Sequence, residues 1–136
     1  MESIHPSRER ALPHQHPEWF SGPVFVHAMN EGQGSTELEV LAVYFDAGSR
    51  TKPHTHTTEQ LLYFLEGEGV VADRTRRRRY GPGGMAVIPA GVWHWHGATA
   101  DHAASHLSIR PGGGSAWPPD VPMEDWETYM DGIADA

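Results

Sequence analysis

Apolar residues fall in short bursts along this chain, at 24–28, 37–45, 60–65, 69–73, 85–88, 92–96 and 105–109. Glycine or proline stands in nearly every gap, including Gly32, Gly34, Gly48, Pro53, Gly67, Gly81, Pro82, Gly83, Gly84, Pro89, Gly91 and Gly97. These residues turn the chain and stop one burst from running into the next. Short strands with tight connections predict an all-β sandwich or small barrel. Some bursts, 61–65 above all, are apolar at successive positions. That predicts strands covered on both faces, one by the interior and the other by a second sheet or a subunit contact.

The two ends follow other patterns. Residues 1–17 alternate prolines with charged and polar residues, which predicts an arm ordered only by docking on the body or on a neighbour. A Gly- and Pro-rich connector over 111–122 precedes Met123, Trp126, Met130 and Ile133, which stand at helical spacing with acidic residues between them. This predicts a C-terminal amphipathic helix that packs outside the barrel or forms a dimer contact. The expected organisation is an arm over 1–17, a barrel domain over 18–110, and a linker and helix over 111–136.

A length of 136 residues suits one domain with one core. Acidic residues outnumber basic ones by 18 to 10, a net charge of −8, so neither nucleic acid nor a membrane surface is an expected partner. A small-molecule substrate and a second copy of the chain are. The absence of cysteine excludes disulfides, thiolate metal sites and a Cys nucleophile, and makes a cytoplasmic protein the expectation. No signal-peptide core appears at the N-terminus, and the longest apolar runs, 40–45 and 61–65, are far too short to span a bilayer. Arg74, Arg76, Arg77, Arg78 and Arg79 make up half of the 10 basic residues. They lie between strand patterns with Tyr80 as their only aromatic neighbour, so a solvated hairpin is expected rather than a nucleic-acid surface.

Ten histidines change the picture from fold to chemistry. Residues two apart share a face of a strand, so His54 and His56 can both point at one place inside a barrel, which a helix would not allow. Either Glu59 or Gln60 can add an oxygen from the start of the next strand. His94 and His96 repeat the spacing in a second segment. His14 and His16 repeat it too, but Pro13 and Pro17 flank them and no strand follows, so they are left in the arm.

Gly48, His54-Thr55-His56, Gln60 and Leu65-Glu66-Gly67-Glu68-Gly69 resemble the first motif of the cupins. Gly83 through Pro89, Gly91 and His94 resembles the second. The resemblance implies a double-stranded β-helix (jelly-roll) barrel holding a divalent metal on two histidines and a carboxylate from the first motif and one histidine from the second. Here Gln60 stands in register with that carboxylate, while Glu59 falls one position early and should face away. Ala98 replaces the asparagine that usually closes the second motif. The implied ligands are therefore His54, His56, Gln60 and His94.

The run from Trp93 to Thr99, with His106 on the next strand and Glu18 to Gly22 ahead of the barrel, is similar to a narrower group of cupins. That group has glutamine at the ligand position and includes manganese-dependent hydroxynitrile lyases and cupins associated with carboxymuconolactone-decarboxylase-like proteins. It implies one divalent ion, manganese foremost, with iron, zinc, nickel or cobalt as alternatives. Three imidazoles and an amide leave the ion's charge uncompensated, which makes it a stronger Lewis acid than a carboxylate-bound one.

His96 and His106 are the candidate catalytic bases, with an intrinsic pKa near working pH. Leu41, Val43, Leu62, Phe64, Val87 and Trp93 or Trp95 are expected to line an apolar pocket for a small hydrophobic substrate. The predicted function is a lyase or isomerase of a small hydroxy or carbonyl compound, acting as a homodimer. The alternatives are an iron-dependent dioxygenase and a non-catalytic ligand-binding or accessory protein.

Overall fold

The structure, a computed structural model, describes residues 1–32, 37–117 and 133–136. In chain order its strands are Leu12–Pro13 (β1), Phe20–Ser21 (β2), Val24–Ala28 (β3), Leu38–Phe45 (β4), Arg50–Thr51 (β5), Thr55–His56 (β6) and Gln60–Gly67 (β7). They continue with Gly69–Asp73 (β8), Arg77–Tyr80 (β9), Met85–Ile88 (β10), His94–Ala98 (β11), Ala104–Pro111 (β12), Ser115–Ala116 (β13) and Ile133–Asp135 (β14). One sheet runs β1-β3-β4-β12-β7-β10 and the facing one β14-β9-β8-β11-β5-β2, while β13 and β6 form a small ladder of their own. All pairs are antiparallel except β14 with β9. This is the jelly-roll expected from the sequence, and every predicted strand is present to within two residues at either end.

Alternation along the long strands decides what faces inward. In β7, Gln60, Leu62 and Phe64 are buried while Tyr63 between them is exposed. Leu62 and Phe64 join Val71, Ala86 and Ile88 in one cluster, and Val24, Val43, Phe45, Ala98 and Ala104 form another. Both clusters lie between the sheets and fill part of the interior. The expectation that runs such as 61–65 are covered on both faces is only half met, because Tyr63, Met85 and Val87 of the first sheet keep 39%, 50% and 54% of their surface exposed. On the outer face of the second sheet Val70, Ala72 and Trp95 pack with Trp93 and Ile133. Tight turns need glycine where β7 meets β8: Gly67 has φ +78° and a side chain there would strike the Ala103 carbonyl.

The N-terminal segment docks on the barrel of its own chain. Leu12 and Pro13 pair with Val26 and Phe25, the Arg8 guanidinium lies 3.7 Å from the centre of the Phe25 ring, and Ser7 N–H donates to His27 Nδ1 at 3.2 Å. Of the predicted C-terminal helix, Met123, Trp126 and Met130 lie outside the described residues. Ile133 is described and is not helical: it opens β14, which runs parallel to β9. The arginine run is a hairpin edge, as expected, and the chain's own C-terminus covers it. Arg78 donates to the Asp135 carbonyl at 3.4 Å, Arg79 lies 3.9 Å from both Glu68 and Asp135, and Arg74 sits over Trp93.

Candidate metal centre

The two histidine motifs meet through their backbones. His54 N–H donates to the His94 carbonyl at 2.9 Å and His94 N–H to the His54 carbonyl at 3.1 Å. This two-residue bridge places the rings 4.3 Å apart, and β6 carries His56 to within 4.8 Å of His54, centre to centre. One ring nitrogen from each of His54, His56 and His94 lies within 4.8 Å of the others, and all three residues are buried. These histidines form a group that could hold a metal ion.

An oxygen stands behind each ring. His54 Nδ1 donates to the Lys52 carbonyl at 2.8 Å and His94 Nδ1 to the Val92 carbonyl at 2.9 Å, while His56 Nδ1 meets Ser115 Oγ at 2.7 Å. A carbonyl only accepts, so His54 and His94 carry their proton on Nδ1 and offer a lone pair at Nε2, the state a metal ligand requires. His56 Nε2 is buried with no hydrogen-bond partner among the described residues. Gln60 is buried and its amide NH₂ donates to Ser108 Oγ at 2.8 Å. Its Oε1 then faces His94 Nε2 at 3.1 Å. In this orientation two acceptors are opposed, an arrangement that a cation at the site would relieve. Glu59 is exposed, on the other side of the strand. Three imidazoles with an amide oxygen fit a borderline divalent ion such as Mn, Fe, Co, Ni or Zn.

Burial keeps these rings neutral. It pushes His54 well below its ordinary range, reinforced by the neighbouring His94, and lowers His94 as well. His56 falls to about 4, through burial first and the Arg110 guanidinium second. Neutral rings bind metal without first having to lose a proton.

His96 and His106 form a separate pair in which His106 Nε2 and His96 Nδ1 share a hydrogen bond of 3.0 Å. His96 lines the cavity; His106 lies behind it against Phe45 and Phe64. The pKa near working pH expected for both does not hold, because burial lowers His96 well below its ordinary value and His106 to about 3. Both are neutral at pH 7.

The cavity beside these histidines has a volume of about 730 Å³. Leu41 and Val43 line it as expected. The rest of the predicted wall is corrected by register: Leu62 and Phe64 belong to the packed core, Trp93 and Trp95 to the outer face of the second sheet, and Val87 to the surface. The aromatic wall comes instead from the ends of the barrel. Trp117 stacks on His54 at 3.9 Å, Trp19 on Trp117 at 4.6 Å, and His16 on Trp19 at 4.0 Å. His14 lies 4.4 Å from Phe20. His14 and His16, expected to play no part outside the arm, therefore line the mouth. Ser108 and Arg110, which also line the cavity, were missed although they continue the two-residue period from His106. Ser115 and Trp117 gave no such signal, because they follow a glycine-rich connector where strand periodicity is lost.

A cupin domain model matches residues 41–110. The (R)-mandelonitrile lyase of Granulicella tundricola is 30% identical over 94 residues, covering 68% of this chain and 72% of that protein. Among solved structures, a cupin-like protein of Thermotoga maritima is 28% identical with a TM-score of 0.81, covering 94% of this chain and 99% of its own. The polyketide cyclase RemF of Streptomyces resistomycificus has a TM-score of 0.76 at 19% identity, over 98% of this chain and 99% of its own, and shares the fold. Both halves of the histidine group fall inside the matched segment, and the chain belongs to the cupin family.

Proposed function

We propose that this cupin is a divalent-metal-dependent lyase or isomerase of a small hydroxy or carbonyl compound, with hydroxynitrile-lyase-like C–C bond cleavage or formation as the leading activity. The observation that carries the reading is the set of three Nε2 atoms turned to one place by oxygens behind their rings, with Gln60 Oε1 opposite. The (R)-mandelonitrile lyase relative supports the reaction class. In this reading His54, His56, His94 and Gln60 hold the ion, manganese foremost. When bound, the ion supplies Lewis acidity that polarises a substrate oxygen or stabilises a departing anion.

The chain's own residues account for the proton. With His96 Nδ1 donating to His106 Nε2, His96 presents a lone pair at Nε2, the form of a general base. It takes the hydroxyl proton of a cyanohydrin as the bond between the carbinol carbon and the nitrile carbon breaks. The electron pair leaves with cyanide, which recovers the proton from His96, so an aldehyde and hydrogen cyanide are the balanced products. His106 positions His96 and fixes its tautomer. Leu41, Val43 and Phe20 exclude water around the substrate's apolar part.

The test is cleavage of racemic mandelonitrile, followed as benzaldehyde, before and after chelation and again after Mn²⁺ is restored. Activity lost and regained with the ion supports the reading; cleavage indifferent to chelation overturns it. Oxygen consumption with Fe²⁺ and no cleavage would favour a dioxygenase instead. We further propose a homodimer formed through the exposed Tyr63, Met85 and Val87 face of the first sheet. Light scattering at micromolar concentration should give twice the chain mass, and a monomer would refute it.

A further inference from the structure

We infer that Ser115 is a positioning residue that leaves both tautomers open to His56 and accepts from its Nδ1–H when an ion binds, and that it tunes the affinity of the metal site in this way. This rests on the metal reading above. The three histidines of the group are not held alike. Behind His54 and His94 stands a backbone carbonyl, which can only accept a hydrogen bond and so fixes the proton on Nδ1. Behind His56 stands the hydroxyl of Ser115 at 2.7 Å, which can either accept or donate.

If the hydroxyl accepts, His56 carries Nδ1–H and offers its Nε2 lone pair to the site. If it donates, the proton sits on Nε2 and His56 is no ligand. On the far side His56 Nε2 makes no hydrogen bond among the described residues; the Gln60 side chain lies near enough to favour a proton on the ring, but no bond there fixes the tautomer. His56 is therefore the one ring of the three whose ligand form the chain does not fix in advance, and an ion selects it.

The hydroxyl is held where it acts by the segment that carries it. Ser115 pairs with His56 and Ala116 with Thr55 in the β13–β6 ladder. Thr57 N–H donates to the Gly114 carbonyl at 3.0 Å, and Gly114 N–H donates to Thr57 Oγ1 at 2.9 Å. Two residues further on, Trp117 stacks on His54. The same short stretch thus touches both histidines of the first motif, on the ring nitrogen of one and the ring face of the other. Ser115 is itself exposed, so its hydroxyl proton can turn to water while its oxygen accepts from His56.

The experiment is Zn²⁺ affinity by competition with a chromogenic chelator, without substrate, on the full chain and on Ser115→Ala and Ser115→Asp. Outer partners of ligand histidines typically govern about 10- to 100-fold in metal affinity, and a loss of that size is expected for Ser115→Ala. Ser115→Asp replaces the two-way hydroxyl with a carboxylate that only accepts, and should bind at least as tightly as the wild type. A merely structural role would make both substitutions weaken binding alike, and wild-type affinity in Ser115→Ala would equally overturn the inference.

Nitrogen NMR of the imidazoles in the metal-free wild type gives a second readout. His56 should populate both tautomers and His54 and His94 only the Nδ1–H form; a single His56 tautomer contradicts the inference even if a variant fails to fold. Failure of the wild type to take up Zn²⁺ would overturn the metal reading itself. Uptake that ignores residue 115 would overturn only the role of Ser115.

Discussion

Five histidines share the interior of one barrel, yet they fall into two groups with different chemistry. His54, His56 and His94 each place an oxygen behind Nδ1 and leave Nε2 facing a common point. His96 and His106, on the same β11 and its neighbour in the interior, bond to each other. Burial does not separate the groups, because all five are buried and all five are pushed toward the neutral form by it. What separates them is the partner of the inner nitrogen. An oxygen behind the ring leaves the other nitrogen open toward a place that could hold an ion; a second ring behind it makes a hydrogen-bonded pair.

The strongest way to break this comparison is to remove one ring from each group. His94→Ala should lower metal affinity by more than about 100-fold, since deleting a ligand exceeds the effect of deleting its outer partner. His106→Phe should keep the ion and lose most turnover. Elemental analysis and cleavage assays on both proteins check this, and equal metal loss in the two would merge the groups.

What the two groups share appears with pH in the metal-free protein. Each of these histidines is folded with a pKa below the ordinary value near 6.5. Below 6.5 the unfolded chain therefore binds protons that the folded chain refuses, and stability falls. The stabilisation is complete above pH 6.5 and is lost progressively as pH drops toward about 4 for His56 and about 3 for His106. Each such histidine contributes a slope of about 1.4 kcal/mol per pH unit within its window. Urea midpoints at pH 7.5, 6 and 5 should fall in order, and His106→Phe should flatten the decline by one histidine's share. A pH-independent midpoint would contradict the neutral burial of both groups.

Gln60→Glu sharpens the comparison at the ligand side alone. A carboxylate adds a unit charge to the donor set, so metal should bind on the order of tenfold more tightly, while turnover falls because the ion's charge is partly cancelled. Tighter binding with unchanged turnover would show that the neutral amide does not matter to the chemistry. The smallest effect is expected from Trp117→Ala, which removes the stack on His54 and should cost about 1 kcal/mol of stability with His96 and His106 undisturbed. Chemical denaturation of the metal-free proteins measures it, and an unchanged midpoint would remove the stack from the account.

Much of this was legible in the sequence because a two-residue period decides which side chains share a face along β6, β7 and β11. That period placed His54 beside His56, put Gln60 inward and Glu59 outward, and set His94 and His96 on one face. It failed where geometry rather than period decides. Val87 alternates correctly with Ala86 and Ile88, yet choosing which of the two faces is the core needs the neighbouring strands, and Val87 lies outside. The aromatic mouth was not legible either. Trp19 sits in a 3₁₀ turn, Pro17–Trp19, and Trp117 follows a glycine-rich connector. Trp117 stacks on His54 and Trp19 on Trp117, which joins residues far apart in the chain with no repeating pattern to announce it. Ile133 has helical spacing with residues before it, but the edge left open by β9 offers it a strand partner.

The most direct test is anomalous diffraction from crystals of the untagged protein, recorded on both sides of the Mn, Fe, Co, Ni and Zn absorption edges. A single peak is expected among His54 Nε2, His56 Nε2, His94 Nε2 and Gln60 Oε1, at about 2.0–2.3 Å from the imidazole nitrogens, and none at His96 or His106. A peak between His96 and His106, or no peak after soaking in these ions, would contradict the metal reading.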